Sequence, residues 1–327
     1  MTISRRSFSK GLVSAAMIMP SGSLALASGL EKLSLVVTTS PPDPACHFFY
    51  YAKEKGFFRE AGLDVDIKSV SSPANVVRAA LAGEADVVWV DAASSLKARD
   101  AGAKLKCVGS FTPQVDFTIV ANENITSVAQ LPGKRFAIAA IGGSTYLLPR
   151  MMMERAGADV NKVNWLSLGS ASARAQALLA GTVDATIVAT TFVPKLLAAN
   201  PKLKIVDTVS ATLPDMLYAW NITTEDVLAK KKAQLQRFMR ANSTAIKWAE
   251  ANVDEAIAVS QQVVPNADKE EFASSIRSYV ARKYWAPEGI VSRKKFDFTV
   301  SSLKAADVLK SDLKFDDVVS ADVPAKA

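Results

Sequence analysis

Short apolar runs alternate with amphipathic stretches along most of this chain. The stretch after Ser72 is a well-marked helix, because Ser72 suits the N-cap, Pro73 suits the first helical position, and residues 76–81 supply an apolar stripe. The β-rich runs that predict strands are residues 33–38, 65–67, 87–90, 106–109, 117–121, 136–140, 163–166, 185–188, 203–209 and 216–222. Strands that alternate with helices predict parallel sheets with helices on their faces.

Two short patterns occur twice, and the second copies lie 95 and 98 residues after the first. Ala-Gly-Leu-Asp-Val at residues 61–65 is echoed by Ala-Gly-Ala-Asp-Val at 156–160, and Leu-Ala-Gly-Glu-Ala-Asp at 81–86 by Leu-Ala-Gly-Thr-Val-Asp at 179–184. In every copy a glycine follows a helical run, where a left-handed residue ends a helix, and a strand comes next. Each half therefore predicts β-loop-α-β-α-β, and the chain predicts two α/β lobes.

The lobe boundaries follow from two predicted crossings. Residues 122–133 are polar and end in Pro-Gly, and the strand at 216–222 leads the chain back. We expect residues 28–121 together with 217–327 to form lobe 1, including a strand at 117–121, and residues 122–216 to form lobe 2. Helices are predicted at residues 228–252, 254–264, 269–283 and 294–309, and we expect this tail to pack on lobe 1.

The first 27 residues are typical of an export signal. Arg5 and Arg6, followed by Phe8 and Lys10, precede a short apolar run and a small-residue cleavage site that ends at Ala27. The twin arginine favours a Tat signal, and a Sec signal is the alternative. The apolar run is far shorter than the roughly 20 residues that span a bilayer. We expect cleavage after Ala27 and a soluble periplasmic protein.

Composition and charge narrow the function classes. The chain has 327 residues, is 49% hydrophobic and 22% charged, and carries a net charge of +7. The cations are scattered among acids with no basic stripe, so we expect no nucleic-acid partner. One histidine and two cysteines, which are not clustered, argue against a metal site. Cys46 and Cys107 are either free buried thiols or, after export, a disulfide.

Candidate ligand-binding residues follow from the topology. In open parallel sheets a ligand lies outside the carboxyl ends of the strands, and two facing lobes make a cleft there. We therefore predict ligand contacts from the loops after the strands, through Thr39, Ser40, His47, Ser72, Asp91, Ser94, Thr112, Gly143, Ser144, Thr145, Tyr146, Thr191 and Phe192, and from Trp220 on the second crossing strand.

Six of these positions carry explicit alternatives. Residues 143–145 open a helix, so their N–H groups and hydroxyls favour an anionic or acceptor-rich group, or they serve only as a turn and cap. His47 is a hydrogen-bonding wall of the cleft or an ordinary first residue of a helix. Asp91 accepts a hydrogen bond from a ligand or caps the next helix. Trp220 stacks on a ligand or packs in the core.

Several segments together resemble a known family. They are Tyr-Ala-Lys-Glu-Lys-Gly-Phe-Phe at 51–58, the four repeat segments above, and Val-Ala-Gln-Leu-Pro-Gly-Lys-Arg at 128–135. Over about residues 33–309 the chain resembles the ABC-transporter periplasmic binding proteins of the SsuA/TauA and NMT1/THI5-like group. The resemblance implies an α/β, two-lobe type II periplasmic-binding-protein fold, in which each lobe is a mostly parallel sheet flanked by helices and two strands form the hinge.

The resemblance also implies a function without catalysis or a cofactor. We expect a monomer that binds a small polar or anionic organic solute, such as a sulfonate, a carboxylate or a pyrimidine-like compound, and passes it to a cognate ABC permease in the inner membrane. One alternative is an exported or metabolic enzyme on the same fold, against which no nucleophile–base pattern or paired carboxylates are found near the predicted loops. A second alternative is a sensor subunit that presents its ligand to a receptor.

Overall fold

The computed structural model describes residues 29–323. Its strands are β1 (Glu31–Thr38), β2 (Leu63–Val70), β3 (Val87–Asp91), β4 (Leu105–Gln114), β5 (Phe117–Ala121), β6 (Arg135–Ile138), β7 (Asn164–Ser167), β8 (Ala185–Ala189), β9 (Lys204–Thr208) and β10 (Leu217–Thr224). The α-helices are α1 (Phe48–Glu54), α2 (Phe57–Glu60), α3 (Pro73–Leu81), α4 (Ala92–Asp100), α5 (Ser144–Arg155), α6 (Ala171–Leu179), α7 (Val193–Ala199), α8 (Val209–Thr212), α9 (Glu225–Ala251), α10 (Val253–Val263), α11 (Lys269–Ala281), α12 (Arg293–Ala305) and α13 (Phe315–Val318). The predicted signal segment lies outside these residues.

The strands form two five-stranded sheets with the same internal order. The first sheet runs β2-β1-β3-β10-β4 and the second runs β7-β6-β8-β5-β9. In each sheet the first three strands are parallel to one another, and the fourth strand is antiparallel to both of its neighbours. The two-lobe α/β fold is therefore confirmed, and each sheet is mixed but mostly parallel, because four of its five strands run in one direction and only the inserted strand runs the other way.

The fourth position of each sheet is filled by a strand from the other half of the chain. β10 enters the first sheet between β3 and β4, and β5 enters the second sheet between β8 and β9. Our expectation that residues 117–121 extend the first lobe is therefore wrong. β4 ends at Gln114 and β5 starts at Phe117, so the chain crosses between the sheets within two residues, and β5 then pairs with β8 over five residues.

The aspartates that close the second repeated pattern hold equivalent strands in place. Asp86 accepts hydrogen bonds from the Ser34 N–H and hydroxyl, at 2.9 and 3.2 Å, and from the Lys231 ammonium at 2.7 Å. Asp184 accepts from the Arg135 N–H at 2.8 Å and from its guanidinium at 2.7 and 3.1 Å. The Asp86 carboxylate thus fixes β1, and the Asp184 carboxylate fixes β6. This shared role explains why an Asp ends both copies of the pattern.

The C-terminal tail covers the first sheet. α9 packs against α1, α2 and β4, and α12 packs against α4 and β10. The first lobe's core contains the stacked rings of Phe49, Phe58 and Phe238, with centroid distances of 5.8 and 5.5 Å to Phe238. Between residues 29 and 323, no helix has the length and apolar character that crossing a membrane requires.

Candidate functional site

The carboxyl ends of β1 and β3 in one lobe, and of β6 and β8 in the other, lie beside the strand crossings. The segments that follow these strands are Thr39–Asp43, α4, Ala139–Gly143 and the 3-10 turn Thr190–Phe192. Tyr218, at the start of β10, and Asp116, just before β5, lie at the crossings themselves. The loops for which we predict ligand contacts therefore lie beside the crossings, and their residues are described below from the first lobe to the second.

The loop after β1 presents a carboxylate on a rigid turn. The Thr39 hydroxyl accepts a hydrogen bond from the Asp43 N–H at 3.0 Å, and Thr39 has a φ of 77°, so its backbone lies in the left-handed region. Oδ1 of Asp43 caps the turn Pro44–Cys46 by accepting from the Ala45 N–H at 2.8 Å. Burial raises the pKa of the Asp43 carboxyl, and the charge of Asp116 raises it further. Ser40 is exposed on the same loop.

His47 lies behind this loop in an aromatic cluster. Its ring is buried, with centroids 5.5 Å from Tyr50, 6.4 Å from Tyr51 and 5.3 Å from Phe272. Nε2 lies 3.4 Å from the Pro42 carbonyl, whereas Nδ1 has no hydrogen-bond partner among the described residues. Burial lowers the pKa of His47 to about 4, so the ring is neutral at physiological pH. His47 thus contacts the loop after β1 from the protein interior, through the Pro42 carbonyl.

Asp91 ends β3 and faces the second lobe. Its Oδ1 accepts from the Ser94 N–H at 2.8 Å, so it does cap α4, as one alternative held. The same side chain lines a small recess together with Ser144 and Tyr218. This recess has a volume of about 10 Å³, which is about what one water molecule needs and too small for an organic solute. Burial raises the pKa of Asp91.

Tyr218 is the aromatic residue at the centre of the cleft. The centroid of its ring lies 6.1 Å from that of Trp89 in β3 and 5.6 Å from that of Phe117 in β5. Tyr218 therefore links a strand of the first sheet with a strand of the second. Burial raises the pKa of the Tyr218 hydroxyl well above its usual range, and the charges of Asp43 and Asp91 raise it further. The phenol therefore lies among carboxylates.

Two tyrosines from the C-terminal tail complete the first-lobe wall. Tyr279 of α11 and Tyr284 stack with centroids 4.3 Å apart, and both are nearly fully buried. Burial raises the pKa of Tyr279, and a hydrogen bond with Thr191 of the second lobe partly opposes that rise. The tail thus reaches across the cleft to the loop after β8.

Asp116 is the paired carboxylate at the crossing. Both of its oxygens accept from the Arg282 guanidinium, at 2.8 and 2.9 Å, and its carbonyl accepts from the Thr190 N–H at 3.0 Å. The guanidinium also lies 5.8 Å from the centroid of the Tyr279 ring. This side chain therefore ties the tail, the crossing and the second lobe together.

The second-lobe loop after β6 presents amides and a hydroxyl. Gly143 is the N-cap of α5 and supplies no side-chain cap, which leaves the first N–H groups of that helix without an intrahelical partner. Ser144 is half-buried in the recess. The Thr145 hydroxyl accepts from the Ala139 N–H at 2.9 Å, so it holds the loop.

Tyr146 lies on the far side of α5. Its ring packs 5.0 Å from that of Trp165, and its hydroxyl accepts from Arg150 at 3.2 Å. A larger cavity of 470 Å³ adjoins these residues, between α5 and the C-terminal end of α12. Arg150 on the wall of this cavity pairs with Glu154 at 3.0 Å, and Leu147 lines both this cavity and the recess beside Asp91.

The loop after β8 contributes Thr191, which faces Tyr279 as described, and Phe192, which is buried in the second lobe's own core. Nearby, the buried guanidinium of Arg174 donates to the carbonyls of Gly169 and Ile187, the latter at 3.2 Å. Burial lowers the pKa of Arg174 to about 10, so it stays charged at neutral pH. The Arg174 guanidinium thus connects the segment at Gly169 to β8.

Two predicted positions, Trp220 and Thr112, have structural contacts instead, and a third, Ser72, has no side-chain hydrogen bond at the helix start. Trp220 is 1% exposed, donates from Nε1 to the Ser95 hydroxyl at 2.7 Å and packs near Phe296, so its predicted stacking role is corrected to a core role. Thr112 is fully buried and accepts from Trp89 Nε1 at 3.0 Å, which places its hydroxyl inside the sheet. Ser72 stands at the N-cap of α3 without a side-chain cap bond and is half-buried.

Sequence reasoning missed five residues of the cleft: Asp43, Asp116, Tyr218, Tyr279 and Tyr284. Asp43 ends the proline-rich loop that was already suspected, and a count of carboxylates beside the predicted strands would have found it. Tyr218 precedes Trp220 by two positions, and its ring packs on Trp89 and Phe117, whereas Trp220 packs near Phe296. Tyr279 and Tyr284 come from the tail, whose position over the cleft no local pattern reveals. Among the described residues, no group of three or more His, Cys, Asp or Glu side chains could hold a metal ion.

Comparison with known proteins agrees with this architecture. A family profile described as NMT1/THI5 like matches residues 43–256, about two thirds of the chain. The chain belongs to the NMT1/THI5-like family. One curated relative, the formylaminopyrimidine-binding protein of Halalkalibacterium halodurans, is 24% identical over 237 residues, which cover 71% of this chain and 69% of the relative.

Solved structures share the fold of this NMT1/THI5-like chain. The alkanesulfonate-binding protein SsuA from Xanthomonas axonopodis pv. citri, bound to MOPS, matches with a TM-score of 0.70 and 20% identity, over 90% of this chain and 99% of that one. The Candida albicans CA3427 gene product, described as having the generic periplasmic binding protein fold, matches with a TM-score of 0.71 and 16% identity, over 91% and 98%. At these identities the likeness concerns the fold.

Proposed function

We propose that this chain is the periplasmic solute-binding component of an ABC importer. It is a monomer that closes its two lobes on one small polar organic solute and passes that solute to a permease in the inner membrane. The observation that carries the proposal is the meeting of both lobes around Tyr218, where Asp91 and Ser144 line one recess and Tyr279 reaches Thr191.

Binding energy would drive closure. A solute in the cleft contacts loops of both lobes only when they are together, so it stabilises the closed state over the open one. The crossings before β5 and β10 are the natural hinge, because the two sheets are joined there by short segments. Membership of a family whose relatives include named binding proteins supports this mechanism.

The cleft is proposed to bind without reacting. Burial raises the pKa of the Cys46 thiol well above its usual range, so it stays protonated and is a poor nucleophile. The neighbouring His47 is neutral and buried, with its pKa lowered to about 4, so it is unsuited to proton transfer at neutral pH. A solute-binding protein needs neither a nucleophile nor a proton-transfer group.

A thermal-shift screen of residues 28–327 tests the proposal. The panel contains sulfonates, carboxylates, nitrate, organic amines and aminopyrimidines. A true ligand at 100 times its dissociation constant stabilises the protein by about 2.7 kcal/mol. Calorimetry then measures its affinity, and mass spectrometry checks that the ligand is recovered unchanged. A chemically altered ligand would indicate an enzyme instead.

A blocking variant ties the response to the cleft. Ser144→Trp places an indole in the recess that Ser144 shares with Asp91, and we expect it to abolish the ligand-induced shift. Ser301→Trp, on the exposed side of α12, is the matched control and should respond as the wild type does. An equal response from both variants would move the binding site out of the cleft.

Export is tested separately. Replacing Arg5 and Arg6 together by Lys is expected to stop delivery to the periplasm by the Tat route. Cell fractionation and immunoblotting measure the periplasmic yield. An unchanged yield would favour the Sec route, which the sequence also allows.

A further inference from the structure

The cavity between α5 and the C-terminal end of α12 has the size of a ligand site. Its volume is 470 Å³, whereas the recess beside Asp91 has a volume of about 10 Å³. Pockets that hold small organic molecules measure roughly 300–1,000 Å³. The cavity can therefore admit a molecule that the recess cannot.

Both lobes contribute to the wall of this cavity. The first lobe supplies Lys97 of α4 and residues 305–308, which form the end of α12 and the turn after it. The second lobe supplies Gly142 from the loop after β6 and one face of α5 around Arg150. A molecule in the cavity therefore touches both lobes at once, outside the recess.

The wall carries two positive and two negative side chains. Lys97 and Arg150 are the cations, and Glu154 and Asp307 are the anions. These formal charges cancel, so the wall as a whole favours neither a cation nor an anion. A solute with a single charge would meet a group of like charge as well as one of opposite charge, which lowers its affinity.

Among the described residues, only two of these four side chains form an ion pair. Arg150 pairs with Glu154 at 3.0 Å, one helical turn away on α5. Lys97 and Asp307 belong to the same lobe, yet neither forms an ion pair in the described part of the chain. The Lys97 ammonium thus lies more than 4.0 Å from the Asp307 carboxylate. A molecule that carries both charges would give each of these groups a partner.

The helices that end at the cavity reinforce this division of charge. The C-terminus of α12 carries partial negative charge, which adds to that of Asp307 in the turn that follows. On α5, the Arg150 guanidinium is held in place because it donates to the Tyr146 hydroxyl at 3.2 Å and to Glu154 at 3.0 Å. A ligand ammonium therefore suits the end of α12, and an acid group suits Lys97 and Arg150.

We propose that this cavity is a second ligand site, which binds a small aliphatic zwitterion with a protonated amine and an acid group at the two ends of a short carbon chain. The amine lies at the end of α12 near Asp307, and the acid group meets Lys97 and Arg150. The carbon chain packs on Leu147 and Val308. The site goes beyond the proposed function, because the cavity and the recess share Leu147 alone among the residues that line them.

5-Aminopentanoate, pentanoate and pentylamine are suitable probes, because they share one carbon chain and are respectively a zwitterion, an anion and a cation at neutral pH. We expect calorimetry to show that 5-aminopentanoate binds about tenfold or more tightly than either of the others. Raising the salt concentration should weaken this binding. Equal affinities for the three probes would reject the zwitterion as the ligand class.

Charge-removing variants identify the residues. Lys97→Gln should weaken binding of 5-aminopentanoate about fivefold or more and narrow its advantage over pentylamine, because the acid group loses its partner. Asp307→Asn should narrow the advantage over pentanoate instead, and Asn tolerates the φ of 54° at this position. Lys310→Gln and Asp64→Asn are matched controls, since both residues are exposed on the first lobe outside the cavity. Wild-type affinity in Lys97→Gln and Asp307→Asn would reject the assigned charges.

A blocking variant ties the probe to the cavity. Ala305→Trp places an indole in the cavity, and we expect it to abolish binding of 5-aminopentanoate. Ser301→Trp, one helical turn earlier on α12 and outside the cavity, should bind as the wild type does. Circular dichroism confirms that each variant is folded. Equal binding to both variants would place the probe elsewhere and overturn the site.

The outcomes separate this inference from the proposed function. If a panel solute stabilises the wild type and not Ser144→Trp, while 5-aminopentanoate fails to bind, solute binding in the recess holds and the second site is overturned. If 5-aminopentanoate binds the wild type and not Ala305→Trp, while no panel solute binds, the second site holds and the proposed function falls.

Discussion

The two lobes have the same strand order, and their cleft-facing loops differ in chemistry. After its first and third strands, the first lobe places Asp43 and Asp91, backed by aromatic rings. At the equivalent positions the second lobe places the Gly143–Ser144 helix start and Thr191. The two lobes thus share a scaffold and differ in the side chains that these loops carry.

A second difference is the covering of the two sheets. The tail from α9 to α12 packs on the first lobe and encloses Gly109 of β4, whereas a Cβ added at Gly181 of the second lobe would meet no atom within 4 Å. Four predictions sharpen or break this comparison of the lobes.

The largest expected effect is that of Gly109→Ala in β4. Gly109 has a φ of 142°, and an added Cβ would lie 2.5 Å from the Gly289 carbonyl oxygen of the tail. We expect a loss of about 3 kcal/mol or more in the free energy of unfolding, from backbone strain and overpacking. Gly181→Ala in the second lobe, with a φ of 71° and nothing within 4 Å, should lose only about 1 kcal/mol. Urea denaturation measures both, and equal losses would show that the tail does not press on β4.

The next effect concerns acid. The pKa of His47 falls from its ordinary 6.5 to about 4 in the folded first lobe, so the unfolded chain binds more protons between these values. Stability from the neutral ring is complete above about pH 6.5 and is lost as the pH falls, by on the order of 3 kcal/mol near pH 4. His47→Leu should abolish this part of the slope, which denaturation at several pH values measures. A slope unchanged in the variant would place the acid sensitivity elsewhere.

The second lobe should respond to acid only at lower pH. Hydrogen bonds from Arg135 lower the pKa of Asp184 below its ordinary 3.8. Its stabilising contribution is therefore complete above about pH 4 and is lost as the pH falls further.

The smallest effect is expected at the repeated aspartates. Asp86→Ala removes the hydrogen bonds that hold β1, and Asp184→Ala removes those that hold β6. We expect each to lower the free energy of unfolding by about 1–2 kcal/mol at neutral pH. Because the two sets of hydrogen bonds are equivalent, the costs should agree within about 1 kcal/mol, as urea denaturation can show. A much larger cost for one variant would indicate that the lobes rely on this carboxylate unequally.

The positions of the helices and strands were predictable because they depend on local sequence patterns. Glycines such as Gly83 and Gly181 end helices through a positive φ, and the Asp that follows each by three residues recurs for the structural reason given above. Periodicity therefore located every strand. It did not assign β5 to its sheet, since the pairing partner of a strand depends on contacts far along the chain.

The cleft was predicted less completely, for a related reason. Topology directed attention to the loops after the strands, and Asp91 and Ser144 from two of these loops line one recess. Sequence does not reveal which way a side chain turns, so Trp220 was chosen and Tyr218, two residues earlier, was missed. Tyr279 joins the cleft only because α11 folds back across it, a long-range event that leaves no local signature.

The exchange of β5 and β10 means that neither half of the chain contains a whole sheet. Each borrowed strand is an interior member, flanked on both sides, so a fragment that ends before the exchange would expose two unpaired strand edges. Such a half-length product is expected to aggregate rather than to form a small stable unit. Both halves of the chain are therefore needed for either sheet to fold, and we expect neither repeat to fold when it is expressed alone.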